Sequence, residues 1–416
     1  MLAEIALLSN LLMGPQTPLD RFLAAPERGL PETKVTKNGT MVEIEFCSQK
    51  WHNTLWSHKV LLLVPKGAEK IRTAILYVTG DGPFKGDYVD LNLLSAATGM
   101  PVAMLFNIPN QPLWDMKEDD LIAHTFGKYL ETKDETWPLL FPMTKSAIVS
   151  MNVVQKVARQ NGLNFDKFVV TGASKRGWTT WMTAASGDKR IAGIAPMVFP
   201  NLKFDAQMTK QMADWGQYSD QIADYTRRGL QAQLATSAGQ ELMRMVDPFS
   251  YRDRYKMPTL IVNGTNDPYW TVDATSVFWN DLHQQKYLLE VPNSGHGLED
   301  KFRVVATVGA FARSVSGQFR MPNFGATISV DRDHNKMSFS LDKGSGSPAS
   351  VSVWTAESES KDFRKSKWHE HRGTEGDIPS LEYNSNMAQA VFVEAKYSIG
   401  GKTFTLSTPV QVIVHP

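Results

Sequence analysis

The feature that most restricts this chain is a repeated one. Short runs of nearly continuous Val, Ile, Leu and Ala alternate with longer stretches of helical periodicity. "KVLLLVP" (59–65), "TAILYVTGDGP" (73–83), "PVAMLFNIP" (101–109), "KFVVTGAS" (167–174), "IAGIAPMVFP" (191–200), "PTLIVNGTND" (258–267) and "KYLLEVPNSGHG" (286–297) read as strands. "PMTKSAIVSMNVVQKVARQNG" (142–162), "RGWTTWMTAAS" (176–186), "DATSVFWNDLHQQ" (273–285) and "EDKFRVVATVGAFARSV" (299–315) read as helices, the first with Pro near its start and Asn-Gly at its end. A strand apolar on both sides must be covered on both faces, and strands separated by helices run parallel. The pattern predicts an α/β fold with a mostly parallel sheet between two helical layers.

Two segments break the rhythm. Residues 201–250 contain no convincing strand, but carry Met208, Met212, Trp215 and Tyr218 at helical spacing and a further helix around "GQELMRMVD". They read either as a helical lid over the C-terminal ends of the strands or as ordinary packing helices. After Gly317, "ATISVDRDHNKMSFSLDKGSGSPASVSVWTAES" and "AVFVEAKYSIGGKTFTLSTPVQVIV" alternate with period two and are broken by Gly, Asn and Ser. This predicts a C-terminal β-sandwich similar to an immunoglobulin-like module. The expected division is 1–318 for the α/β part, with the insertion at 201–250, and 319–416 for the β module.

A length of 416 residues fits two such domains, and 44 basic against 43 acidic residues give no global attraction to nucleic acid or an anionic membrane surface. The lone Cys47, in the alternating "VEIEFCSQKW", excludes an intrachain disulfide and is expected as a small core residue. No run reaches the length of a membrane helix. The N-terminal "MLAEIALLSNLLMGPQTPLDRFLAAPE" has an apolar run and a small-residue site but no basic leader, so it reads as an export-signal remnant or as an amphipathic helix.

The stretch "VVTGASKRGWTTW" (169–181) admits two chemistries. As a phosphate loop it lacks the required lysine, since Trp178 stands in that place, and no nucleotide or other cofactor is expected. As a strand–turn–helix elbow it presents Ser174 as a nucleophile. The chain then supplies the acid and base in the order such hydrolases use: Asp267 after one late strand, His296 after the next. All three follow strands of one parallel sheet, so they share its C-terminal edge. His296 would take the proton of Ser174 while Asp267 fixes the imidazole. The backbone N–H of Lys175 is the first oxyanion donor candidate, and Gly80 or Asp81 in the "TGDG" loop offers a second, unless that loop is a plain tight turn.

These motifs resemble the PhoPQ-activated pathogenicity-related protein family, which includes the autocrine proliferation repressors. "SQKWHNTLWSHKVLLLVP", "WPLLFPM", "VTGASKRGWTTW", "NGTNDPYW" and "VPNSGHGL" occur in order over nearly the whole chain. The resemblance implies an α/β-hydrolase domain followed by a β module, an exported (secreted or periplasmic) protein, and Ser174, Asp267 and His296 as the triad. One departure stands out. The common elbow G-x-S-x-G has Gly two residues after the serine, whereas here Arg176 stands there and Gly177 follows. Glucuronoyl esterases are similar, with a basic residue after the serine that helps stabilise the oxyanion. By that analogy Lys175 or Arg176 would stabilise the intermediate or attract a substrate carboxylate; the alternative is a pair of salt bridges at the helix start.

Trp178, Trp215 and Trp270 join Lys175 and Arg176 as candidate substrate-binding side chains. No metal is expected. "HEH" at 369–371 reads as a solvated strand face, and Asp81, Asp87 and Asp90 as surface acids. The reading is a serine hydrolase acting on carboxylic esters, with acidic or carbohydrate-linked substrates in view. A serine peptidase with the same triad, or a secreted binding or signalling protein with a vestigial triad, stays open.

Overall fold

Each apolar run becomes a strand of one nine-stranded sheet, ordered β1-β2-β3-β5-β4-β6-β7-β8-β9. The strands are β1 (Lys34–Asn38), β2 (Met41–Trp51), β3 (Thr54–Leu63), β4 (Thr73–Val78), β5 (Val102–Phe106), β6 (Lys167–Ala173), β7 (Ile191–Met197), β8 (Thr259–Gly264) and β9 (Lys286–Val291). β1, β2, β3 and β5 pair antiparallel in turn; from β5 through β9 all neighbours are parallel. The computed structural model describes residues 16–414 apart from 343, 374–377, 383 and 385, so the N-terminal apolar run before residue 16 lies outside the described residues.

Period-two geometry divides each central strand between two cores. On β4, Ala74, Leu76 and Val78 face the helices Leu140–Gln160 and Lys175–Ala185, while Ile75 faces the layer holding the helix Lys301–Val315. The chain runs from β4 to β5 on one side, then crosses back over β4 to β6. This reversal opens a crevice at the C-terminal ends of β4 and β6, the place where open α/β sheets bind ligands. The architecture is an α/β-hydrolase fold.

Residues 201–250, between β7 and β8, are helical: Phe204–Trp215, several short turns, and Ser237–Val246. The helix expected over 273–285 is instead two 3₁₀ turns, Ala274–Val277 and Trp279–Asp281. β-branched Thr275 and Val277 beside aromatic Phe278 and Trp279 are poor helix formers, and so short a connection gives little room to regain the loss. Cys47 is half-buried rather than a core residue, with Sγ 3.4 Å from Ser57 Oγ across the β2–β3 pair.

After the helix Lys301–Val315 the described residues form strands alone. β10 (Ala326–Asp331), β11 (Lys336–Leu341) and β14 (Leu381–Glu382) make one antiparallel sheet. β12 (Ser350–Ser358), β13 (His369–Arg372), β15 (Ala388–Ile399), β16 (Lys402–Ser407) and β17 (Gln411–Ile413) make the other. Met337, Val353, Val391 and Ile413 pack between the two sheets, the interior of a β-sandwich. This sandwich is not loosely tethered. Tyr397, Phe404 and Leu406 join Leu289, Val291 and Phe311 in one apolar cluster, so the β9 side of the large sheet and the sandwich share a core.

Candidate active site

β6 ends at Ala173, and the chain turns through Ser174 into the helix Lys175–Ala185. Ser174 adopts φ 60°, ψ −127°. For a residue with a Cβ such a conformation costs roughly 1–3 kcal/mol and persists only where the surroundings impose it. They do: Ser174 N–H donates to Met197 O at 2.9 Å, and Trp178 N–H donates to Ser174 O at 3.0 Å. Helix and sheet approach so closely that a Cβ on Gly177 would lie 2.7 Å from Met197 O, and one on Gly172 2.8 Å from Arg176 O. Gly177, three residues after the serine, is therefore the glycine that lets this helix rest on β7.

The loops after β8 and β9 bring the other two groups in. His296 Nδ1 lies 2.7 Å from Asp267 Oδ2, and Tyr269 N–H donates to Asp267 Oδ1 at 2.9 Å. Asp267 is buried, and the Tyr269 ring stacks on the imidazole at 4.1 Å between centroids. This fixes the ring and leaves its Nε2 buried without a hydrogen-bond partner among the described residues. His296 and Ser174 line the same cavity, which encloses about 830 Å³ including its mouth.

That cavity lies beneath the inserted helices and is mostly apolar. Phe126, Trp178, Phe199, Phe204, Leu242 and Trp270 are among its walls. Trp178 stacks on Phe199 at 5.0 Å and donates Nε1–H to Val246 O at 2.7 Å, tying the helix Lys175–Ala185 to the insertion. The charged groups on the wall are Lys175 and Asp119, and they face each other: Lys175 Nζ is 2.8 Å from Asp119 Oδ2 and 2.9 Å from Glu118 Oε2. Tyr225 O–H donates to the other oxygen of Asp119 at 2.9 Å. Burial alone would push the Lys175 ammonium down, but Asp119 and Glu118 outweigh it and hold its pKa raised.

Arg176 is committed elsewhere. Its guanidinium donates twice to Glu118 at 2.7 Å and through Nε to Ile108 O at 2.6 Å. It lies outside the cavity wall, over Gly80, where a Cβ would meet its Nη2 at 2.7 Å. Of the two sequence readings of this basic pair, the contacts are those of the salt-bridge alternative. Both cations have counter-ions on the acidic start of the helix Glu118–Thr132, because a buried charge without a partner is far more costly than a paired one.

The other expected residues separate. Trp178 and Trp270 line the cavity. Trp215 does not; its ring lies under the Arg364 guanidinium at 4.1 Å. Gly80 and Asp81 also stand away from the cavity wall: Gly80 O accepts from Asn107 N–H at 2.6 Å, and Asp81 Oδ1 accepts from Gln111 Nε2 at 3.0 Å. Sequence reasoning missed Glu118, Asp119 and Tyr225. The run Glu118-Asp119-Asp120 at a helix start was the available signal.

A second Ser–His pair has a different character. Ser48 Oγ is 2.9 Å from His58 Nε2, within a buried network with Gln49 and Ser146, and burial pushes the His58 pKa down to about 4. His58 Nδ1 meets the Asn107 carbonyl oxygen at 3.2 Å, so a neutral backbone group rather than a carboxylate orients it.

The sequence model of the PhoPQ-activated pathogenicity-related protein family matches residues 26–364. Autocrine proliferation repressor protein A of Dictyostelium discoideum is 34% identical over 381 residues, covering 84% of this chain and 76% of that protein. Among solved structures, the acetyl xylan esterase from Paenibacillus sp. R4 superimposes with a TM-score of 0.47 at 14% identity, over 70% of this chain and 95% of that one. The Pyrococcus horikoshii acylaminoacyl peptidase gives 0.44 at 12% identity, over 67% of this chain and 41% of that one.

Proposed function

The chain belongs to the PhoPQ-activated pathogenicity-related protein family, and we propose that this member is a serine hydrolase cleaving carboxylic esters of uncharged, apolar groups. One observation carries the reading. His296, held by Asp267 through Nδ1, has an unpaired Nε2 at the cavity into which the strained elbow delivers Ser174.

The steps follow from the residues. Ser174 Oγ attacks the ester carbonyl while His296 Nε2 takes its proton, and Asp267 stabilises the imidazolium. The tetrahedral oxyanion lies at the start of the helix Lys175–Ala185, where the Lys175 N–H donates and the helix dipole favours negative charge. Collapse breaks the bond to the alkoxide, which leaves with the proton from His296. Water, deprotonated by the same imidazole, then hydrolyses the acyl-enzyme. The uncharged, apolar preference follows from a wall built of aromatic and aliphatic side chains on which the Lys175 ammonium is already neutralised.

A fluorophosphonate probe tests the nucleophile. Stoichiometric labelling that disappears in Ser174→Ala is expected; no labelling of the native protein, or labelling that survives the substitution, removes the assignment. Neutral p-nitrophenyl esters with medium-length alkyl acyl groups should turn over faster than methyl uronates, and the reverse order would remove the apolar clause. A second reading rests on the relative's name, that of a proliferation repressor. Any repressor activity of this chain that Ser174→Ala retains would belong to binding rather than hydrolysis. We place the protein outside the cytoplasm, as the family resemblance implies, and co-fractionation with cytosolic markers would overturn that. No helix among the described residues is long and apolar enough to cross a membrane.

A further inference from the structure

The two loops that carry Asp267 and His296 meet each other and the C-terminal sandwich at the same place. Asn266 N–H donates to Ser294 O at 2.9 Å, and Asn293 N–H donates to Thr265 Oγ1 at 3.0 Å, so the loops are hydrogen-bonded as a pair. Gly264 allows this approach: a Cβ there would lie 2.3 Å from Gly295 O and 2.4 Å from Ser294 O.

The side chains of Asn266 and Asn293 turn away from the cavity, toward residues 361–368. Asn266 Nδ2 is within hydrogen-bond distance of three carbonyl oxygens, Ser366 O at 2.7 Å and Phe363 O and Arg364 O at 3.3 Å. Asn293 forms a two-way amide pair with Trp368: its Nδ2 donates to Trp368 O at 3.0 Å, and its Oδ1 accepts from Trp368 N–H at 2.8 Å. Trp368 and Phe363 are buried with Trp354 and Phe392 on the face of the five-stranded sheet opposite the one that packs on the smaller sheet, which anchors the segment. Its outer side reaches the insertion, through Arg364 over the Trp215 ring and Lys361 Nζ 3.3 Å from Asp214. One short stretch of the sandwich therefore holds the acid loop, the histidine loop and the first inserted helix together.

We propose that residues 361–368 form a brace that fixes the relative position of Asp267 and His296, with Asn266 and Asn293 as positioning residues. The inference rests on the serine-hydrolase reading above and gives the C-terminal sandwich a part in that site. An asparagine one residue before the acid, and another three before the histidine, each bonded to the same remote segment, set loop geometry rather than general stability. Displacement of about 1 Å at a catalytic group costs on the order of 10²-fold in rate.

The test uses the full chain with Asn266→Ala, Asn293→Ala, and Asn293→Asp, which retains the acceptor for Trp368 N–H and loses the donor. For each, kcat falls about 10- to 100-fold with KM within about twofold, and fluorophosphonate labelling slows in parallel. The low-field His296 Nδ1–H proton resonance broadens or moves upfield, a change that a purely structural role would not produce. Thermal midpoints identify any variant that fails to fold, and Asn293→Asp, the least disruptive, then decides. Native labelling with unchanged kcat and proton resonance in the folded variants overturns the brace and leaves the triad reading intact. No labelling of the native protein overturns both.

Discussion

Glu118→Gln tests the electrostatic account of the helix Lys175–Ala185, because it removes one charge and almost no volume. Glu118 receives the two-pronged Arg176 guanidinium and shares the Lys175 ammonium, whose side chains are 12% and 9% exposed. Burial alone would raise its carboxyl pKa, but Arg176 and then Lys175 overturn that and pull it from an ordinary 4.5 to about 2. A depression of that size corresponds to at most about 3 kcal/mol by linkage. The Glu118 side chain is 37% exposed, so solvent screening reduces this to about 1–2 kcal/mol. Turning the N–H₂ of the introduced amide toward the donors of Arg176 adds roughly 1 kcal/mol. Folding entropy of about 2 cal/mol/K per residue then gives a midpoint loss of about 2–4 °C at pH 7 for a chain of 416 residues. The sign is fixed by the direction of the shift. A lowered acid stabilises above its unfolded pKa and loses that stabilisation as pH falls toward the folded one. The gap between wild type and variant should therefore be widest near neutrality and narrower by roughly a third to a half at pH about 3.5. Scanning fluorimetry from pH 7 to 3.5 measures it. Equal midpoints at pH 7, or a gap that does not change with pH, would show that the carboxylate is not what holds this pair.

Two further substitutions address packing and a buried acid. Gly177→Ala forces a Cβ to within 2.7 Å of Met197 O and 3.1 Å of Phe199 Cβ, so it should cost about 1–3 kcal/mol and slow fluorophosphonate labelling as the elbow shifts; an unchanged midpoint and labelling rate would contradict the close approach. Burial raises the Glu290 carboxyl to about 8, only partly offset by a 3.3 Å hydrogen bond from Asn263 Nδ2. The folded chain then keeps a proton that the unfolded chain releases above about 4.5, so stability falls as pH rises across that window. Glu290→Gln should flatten this fall and be the more stable form at pH 8 by roughly 2–4 kcal/mol; parallel denaturation-versus-pH curves would refute it.

Much of the fold is written in local pattern. β4 and β5 needed no context, since a run such as Ala74–Val78 is apolar on both faces and only a covered parallel strand satisfies that. The stretch 273–285 shows where pattern fails: its apolar residues have helical spacing, but crowded β-branched and aromatic side chains keep only 3₁₀ turns. The shared core between β9 and the sandwich was hidden for another reason. Tyr397, Phe404 and Leu406 alternate along their strands as any sandwich residues would, and nothing local reveals that the layer they cover includes Leu289 and Val291.

At the candidate site the division follows topology rather than sequence distance. Ser174, Asp267 and His296 could be placed together because each sits at the end of a strand, and a parallel sheet brings such ends to one edge. The partners of Lys175 and Arg176 could not be placed, because Glu118 and Asp119 start a helix whose position depends on how the whole chain packs. A cation pair at a helix N-terminus opposes the dipole, and that misfit already implied carboxylates nearby without saying whether protein or substrate supplies them. The structure supplies them from the protein, and this changes the substrate argument. On the function proposed above, an acidic substrate would have to displace Glu118 or Asp119 from a nearly buried ammonium, whereas an apolar group meets mostly aromatic and aliphatic walls. On that proposal the Lys175–Arg176 pair is not an anion site, because Glu118 and Asp119 already provide its anions.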